Sequence, residues 1–159
     1  MPDAGETNIE ALLLRIRQNG HDVWIAGSQS EEAVVALELA LQVRLSPSYR
    51  QFLLRYGAMS IYDSCIAGIV DNQPLYESGS SIYSTTMYFR QERGVPDHLI
   101  IVEPDEEAPY CFDTRHVDAA GESPLNCYEL YSGADGKIAD NFQEFIVKWF
   151  LETWTEEEA

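Results

Sequence analysis

The amino-acid sequence predicts a single α+β domain in which a curved antiparallel sheet packs against helices. Three observations lead to this prediction. Helical spacing of apolar residues dominates the first third of the 159 residues, strand-like runs follow, and an amphipathic helix closes the chain. The connections between the predicted strands are too short for parallel crossovers, which favours antiparallel pairing.

Three helices are predicted in the first third of the chain. Their limits are the capping box Thr7–Glu10 to Asn19, Glu31 to about Gln42, and Pro47 to Tyr56. Serine is favoured as an N-cap because its hydroxyl accepts from a free backbone N–H. Ser28 and Ser30 are both candidates for the start of the second helix, and Ser46 fits the start of the third. Gly57 ends the third helix. A short connector or strand that contains Trp24 separates the first two.

Strand-forming residues predominate from Ser60 onward. Ser60–Val70 is rich in such residues and ends in Ala67-Gly68-Ile69-Val70. The predicted strands after it are a short Pro74–Tyr76, Leu99–Val102, Pro109–Thr114 and Asn126–Tyr131. The four consecutive apolar residues of Leu99–Val102 suit a strand that is covered on both faces. A short helix capped by Ser80-Ser81 precedes that strand, and Asp135-Gly136 signals a tight turn before the last helix.

The last helix, Asp140–Leu151, is the most apolar long element of the sequence. Five large apolar side chains recur at helical spacing along one face: Phe142, Phe145, Ile146, Trp149 and Phe150. Asn141 can cap its start, with Glu144 as a capping-box partner. We therefore expect this helix to complete the core.

The excess of acidic residues indicates which kinds of molecule the protein is expected to bind. With 27 acidic and 10 basic residues the net charge is −17, which disfavours binding to nucleic acid and to anionic membranes and favours a basic partner. Solubility alone is an equally good account of this charge. The sequence has no signal peptide, no membrane span and no disulfide framework among its three cysteines, which favours a cytoplasmic protein.

No catalytic constellation is recognisable in the sequence. The sequence has three histidines, His21, His98 and His116. None lies at metal-ligand spacing from another histidine or from a cysteine. The acidic run Glu103–Glu107 lacks the alternation and glycine of a calcium loop. We expect no catalytic residue, no metal site and no cofactor, although Asp113 and Glu129 leave open a pair of carboxylates for acid–base chemistry.

Taken in order, six motifs resemble the SUKH superfamily, in its Smi/Knr-like branch. The matching residues are Glu38 to Gly57, with Leu45-Ser46-Pro47 and Tyr56-Gly57; Ala67-Gly68-Ile69; Thr85 to Ile100, with Val95-Pro96; Tyr110 to Thr114; Gly121 to Pro124; and Ile138 to Phe145. The sequence departs from the family pattern at Gln42, Ser46 and Ala58, which affects helix capping. The resemblance covers 23–152 as the Smi/Knr-like domain, preceded by an N-terminal tail and helix (1–22) and followed by an acidic tail (153–159).

The resemblance implies a non-enzymatic protein-binding domain. Bacterial members resemble immunity proteins that neutralise a polymorphic toxin, often a nuclease, by direct binding, whereas fungal relatives resemble signalling scaffolds. The acidic charge agrees with a basic cognate toxin as partner. From charge and exposure we predict a binding surface made of Glu103, Asp105, Glu106, Glu107 and Tyr110, with the tyrosine as anchor. A general interaction scaffold and an unrecognised enzyme are the alternatives.

Overall fold

The computed structural model describes residues 4–77 and 80–149, with side chains of the first helix from Ile9 onward. The predictions for Phe150, Leu151 and the acidic tail 153–159 lie outside these residues. None of the helices in the described part combines the length and the apolar character that a membrane crossing requires.

Five helices and seven strands make up the described residues. The helices are α1 (Ala4–Gln18), α2 (Glu31–Leu41), α3 (Pro47–Arg55), α4 (Ile82–Arg93) and α5 (142–149). The strands are β1 (Val23–Ile25), β2 (Met59–Ile61), β3 (Ser64–Ile66), β4 (Leu99–Glu103), β5 (Tyr110–Asp113), β6 (Leu125–Tyr128) and β7 (Asp135–Ala139).

The strands form two antiparallel sheets, with the orders β1-β2-β3 and β4-β5-β6-β7. The prediction of an α+β domain with antiparallel pairing is therefore confirmed, although the strands divide between two sheets. The Ala67 N–H, just after β3, donates to the Val102 carbonyl of β4 over 2.8 Å and so connects the two sheets.

Strand β4 is covered on both faces, as its four consecutive apolar residues predict. Ile100 and Val102 belong to the main core, whereas Leu99 and Ile101 belong to a smaller cluster with Phe89 of α4. Thr86 of α4 fixes this packing, because its Oγ1 accepts from the Ile101 N–H at 3.0 Å. One strand thus contributes to two apolar clusters.

The aromatic face of α5 lies in the main core, which confirms the expected role of the last helix. The ring of Phe142 is 5.0 Å from that of Tyr49, 5.2 Å from Phe52 and 5.9 Å from Phe112, measured between centroids. Asn141 Oδ1 accepts from the Glu144 N–H at 2.8 Å, so the predicted cap is present. The contacts with Tyr49 and Phe52 are edge-to-face, and such contacts add to the free energy gained by burying aromatic area.

The start of α1 differs from the prediction. The helix begins at Ala4, so Thr7 lies within it, and the predicted capping box at Thr7–Glu10 is wrong. The Glu10 carboxylate instead accepts from Arg55 Nη2 at 2.6 Å and from the Tyr56 hydroxyl at 2.9 Å. These long-range contacts connect α1 to the end of α3.

Two predicted features of the strand region are also wrong. Residues 74–76 lie in turns and not in a strand, with the Tyr76 N–H donating to the Gln73 carbonyl. Asp135 and Gly136 begin β7, where they pair with Tyr128 and Cys127 of β6. The turn between these strands lies at 130–132 and is followed by Gly133 in the left-handed region (φ 74°). The Asp-Gly pair was misleading because a glycine three residues earlier supplies the positive φ.

A loop distant in sequence caps the start of α3. Ser46 occupies the N-cap position, as predicted, but its hydroxyl accepts from the Ser123 N–H and not from the helix. The Glu122 carboxylate supplies the cap instead, accepting from both the N–H and the hydroxyl of Ser48. An acidic group at this end also interacts favourably with the helix dipole.

We expect Glu122→Ala to lower the free energy of unfolding by about 1–2 kcal/mol, because it leaves helix donors of α3 without a partner. Urea denaturation measures the effect. Glu77→Ala, an exposed position, is the matched control and should change stability by less than about 0.5 kcal/mol. Equal midpoints for the two variants would contradict the capping role of Glu122.

Candidate functional site

The predicted acidic surface is a short loop between β4 and β5. Asp105, Glu106 and Glu107 are exposed, whereas Glu103 is half-buried as the last residue of β4. Across the strand pair Glu103 is the partner of Tyr110, at an irregularity in the β4–β5 register. The structure therefore places all five predicted binding residues in or beside one loop.

Hydrogen bonds fix the conformation of this loop. Asp105 Oδ1 accepts from the N–H groups of Glu107 and Ala108, both at 2.9 Å, so this carboxylate shapes the turn. The Glu107 carbonyl accepts from the Leu130 N–H at 2.9 Å, which anchors the loop near the end of β6. A loop held at both points presents its charges in a defined arrangement.

Arginine 93, the last residue of α4, connects that helix to the loop. Its Nη2 donates to the Glu106 carbonyl at 3.1 Å, and its Nη1 lies 3.6 Å from Glu106 Oε2. The Glu106 side chain is nevertheless 94% exposed. At such exposure this ion pair contributes little to stability, so the carboxylate is available to a partner.

A groove of about 510 Å³ runs between α4 and the loop. It is lined by Ser84, Thr85, Tyr88, Phe89, Pro104, Asp105 and Glu106. The Tyr88 ring is about half exposed and lies edge-on against Phe89, with the centroids 5.4 Å apart. A supported but exposed aromatic beside carboxylates is typical of the anchoring residue of a protein interface.

Sequence reasoning gave the anchoring role to Tyr110 and did not consider Tyr88. The Tyr110 ring is half-buried and packs edge-on against Phe145 at 5.7 Å, on the side of the main core. The sequence predicted a short helix before β4 but did not show whether Tyr88 in that helix is buried or exposed. Only the packing of α4 against β4 reveals that Phe89 faces inward and that Tyr88 lines the groove.

A second polar cleft lies at the opposite end of β5, where the carboxylate of Asp113 is almost fully buried. One potential ligand atom each from His98, Asp113 and Asp135 lies within 4.8 Å of the other two. Sequence reasoning predicted no metal site because it compared histidines only with histidines and cysteines. It also paired Asp113 with Glu129, whose carboxylate instead accepts from the Ser132 hydroxyl at 2.8 Å.

Arginine 115 neutralises the buried Asp113 carboxylate. Its Nε and Nη2 donate to Asp113 Oδ1 and Oδ2 at 3.1 and 3.0 Å, and Asn126 Nδ2 also donates to Oδ2 at 3.2 Å. Burial alone would raise the pKa of Asp113, but the hydrogen bonds and charge of Arg115 outweigh burial and lower this pKa below its usual value. Asp113 is therefore ionised at neutral pH.

Comparison with known proteins finds a matching family and a similar solved structure. The family model SUKH_5, described as SMI1-KNR4 cell-wall, matches residues 9–151. Among solved structures, the chain is similar to the crystal structure of a protein from Pseudomonas syringae pv. tomato. That similarity has a TM-score of 0.62 at 19% sequence identity, and it covers 90% of this chain and 98% of the other. At this identity the likeness concerns the fold.

Proposed function

Because the chain belongs to the SUKH (SMI1-KNR4 cell-wall) family, we propose that it is a non-enzymatic immunity protein that neutralises a basic, nuclease-type toxin by direct binding. The binding surface in this proposal is the acidic loop 103–107 together with the groove beside α4. The observation that carries the proposal is an exposed aromatic, Tyr88, next to a fixed cluster of carboxylates.

Charge supports the choice of a basic partner. The protein has a net charge of −17, and three exposed carboxylates lie close together in one loop. A nuclease must hold a phosphate backbone, so the surface around its active site is basic. Opposite charges on the two proteins accelerate their association, and an acidic loop seated on the active site excludes the nucleic acid.

The fixed conformation of the loop supports tight binding. Asp105, Arg93 and the contact with Leu130 hold the loop before any partner arrives. A preorganised surface loses less conformational entropy on binding than a mobile one does. Because the loop lies at the surface, its sequence can vary between family members without changes to the core.

We expect the charges and the aromatic to act on different rate constants. Replacing Asp105 with Asn and both Glu106 and Glu107 with Gln should slow association at low salt by at least about tenfold and weaken its dependence on salt. Asparagine at 105 retains the acceptor that shapes the turn. The measurement is the binding kinetics with the toxin domain encoded beside this gene, at two salt concentrations.

A triple variant with the same change of charge provides the control. Asp22→Asn, Glu32→Gln and Asp63→Asn alter exposed residues on other parts of the surface. If this control slows association as much as the loop variant does, net charge is responsible and the loop is not the contact surface.

For the aromatic anchor, Tyr88→Ala should accelerate dissociation by about thirtyfold, equivalent to about 2 kcal/mol. Tyr110→Ala distinguishes the two tyrosines. If it accelerates dissociation more than Tyr88→Ala does, Tyr110 is the anchor, as the sequence predicted.

If the wild type does not bind the toxin domain, the immunity role is wrong, and a general interaction scaffold takes its place.

A further inference from the structure

Beside the polar cleft at the end of β5, ligand groups from three chain segments lie close together. His98 directly precedes β4, Asp113 ends β5 and Asp135 begins β7. The register of the sheet brings His98 near Asp113, because Leu99 pairs with Asp113 across β4 and β5. Asp135 reaches the cluster through its side chain, whose Oδ2 also lies 3.9 Å from Arg115 Nη2. Thr114 holds the His98 backbone, donating to its carbonyl from both its N–H and its hydroxyl, at 3.0 and 2.7 Å.

Two buried polar atoms in this region have no hydrogen-bond partner among the described residues. They are Nε2 of His98 and Oδ1 of Asn126. Asn126 is only 6% exposed, lines the cleft, and is oriented by the bond from its Nδ2 to Asp113 Oδ2. Buried polar atoms are almost always satisfied in folded proteins, so an unpartnered imidazole nitrogen and an unpartnered amide oxygen near two carboxylates point to a missing ligand. A cation satisfies the amide oxygen, and it satisfies the imidazole nitrogen in the tautomer that leaves Nε2 unprotonated.

The cation that the chain itself supplies covers only part of the cluster. Arg115 Nη2 lies 3.0 Å from Asp113 Oδ2 and 3.9 Å from Asp135 Oδ2, and its side chain is half exposed. It therefore bridges the two carboxylates from the solvent side. A guanidinium donates hydrogen bonds to carboxylates. A metal ion can bind the carboxylates and can also take the lone pair of an imidazole nitrogen as a ligand.

We infer that His98, Asp113 and Asp135 form a binding site for a divalent transition-metal cation of the zinc class, with Arg115 as a competing cation. One nitrogen and two carboxylate oxygens are a donor set that Zn²⁺ accepts, whereas Mg²⁺ and Ca²⁺ prefer oxygen ligands throughout. Asn126 acts as a positioning residue through its bond to Asp113. Metal–ligand distances of about 2.0–2.2 Å require the three side chains to draw slightly closer together.

Isothermal titration of the full chain with Zn²⁺ tests this inference. The wild type should bind one equivalent at this site, and His98→Ala should weaken the binding by at least about tenfold. His116→Ala is the matched control: this exposed histidine lines the cleft and its Nε2 lies 3.9 Å from Asp113 Oδ2, but it does not belong to the cluster. Binding that survives His98→Ala, or that is lost with His116→Ala, would overturn the inference and indicate an adventitious surface site or a thiol.

A second variant covers the case in which His98→Ala does not fold. Arg115→Gln removes the competing charge at a half-exposed position and should tighten Zn²⁺ binding by about two- to fivefold, a change in line with a partly exposed ion pair. Unchanged or weaker binding would mean that the cluster is only an internal ion pair. Mg²⁺ should give no comparable heat, since equal binding of both ions would indicate diffuse attraction to an acidic protein.

Discussion

Replacing Gly68 with alanine is expected to prevent stable folding. A Cβ atom at this position would lie 1.7 Å from the Gly57 carbonyl oxygen and 3.0 Å from Leu53 Cδ2. The nearest obstacle is backbone, and the Gly57 carbonyl is fixed because it accepts from the Ile69 N–H at 3.0 Å. The crossing of the two chain segments must therefore open. We expect a loss of more than about 4 kcal/mol, a large part of the stability of a domain of this size.

The measurement is chemical denaturation followed by circular dichroism, with Gly136→Ala as the matched control. Gly136 lies in the edge strand β7, and a Cβ there would meet no atom within 4 Å. This control should change stability by less than about 0.5 kcal/mol. A cooperative transition for Gly68→Ala near the wild-type midpoint would show that the two segments can separate at little cost.

Truncation of Phe142, the first residue of α5, should have the second largest effect on stability. Phe142 is 1% exposed, and its ring contacts those of Tyr49, Phe52, Phe112 and Phe145. Phe142→Ala removes these contacts and leaves a cavity that the surrounding rings fill only in part. We expect the free energy of unfolding to fall by about 3–5 kcal/mol.

Urea denaturation measures this change, and Tyr131→Ala is a suitable control because Tyr131 is 92% exposed. The control should retain wild-type stability within about 0.5 kcal/mol. A loss below about 1 kcal/mol for Phe142→Ala would mean that the aromatic cluster rearranges around the vacated space.

Long periodic segments were predictable from sequence because their periodicity reflects the burial of one face. The apolar face of α5 and the two-sided strand β4 both appear in the structure as expected. Predictions that relied on local turn and cap signals were less successful. The capping box at Thr7–Glu10 was wrong because the helix begins at Ala4, and Glu10 bonds instead to the distant Arg55. The turn at Asp135-Gly136 was wrong because pairing with β6 holds both residues in β7, while Gly133 supplies the positive φ.

For the candidate sites, too, features formed by adjacent residues were predictable from sequence, and features formed by distant residues were not. The acidic loop was recognisable because its carboxylates are contiguous, and the structure confirms its location between two strands. The exposure of Tyr88 beside this loop was not predicted because helical spacing does not show which side of α4 a neighbouring strand covers. The cluster of His98, Asp113 and Asp135 joins residues from three separate chain segments, and a sequence pattern does not show that these segments meet.

The two-sided burial of β4 has a consequence for the dynamics of the domain. Because adjacent residues of this strand belong to different apolar clusters, neither cluster can open without disrupting the other. The domain should therefore unfold as one cooperative unit, without a partly open intermediate. The loop that follows β4 is attached to this strand. We therefore expect its carboxylates to lose their arrangement only when the whole domain unfolds, and not through a local opening.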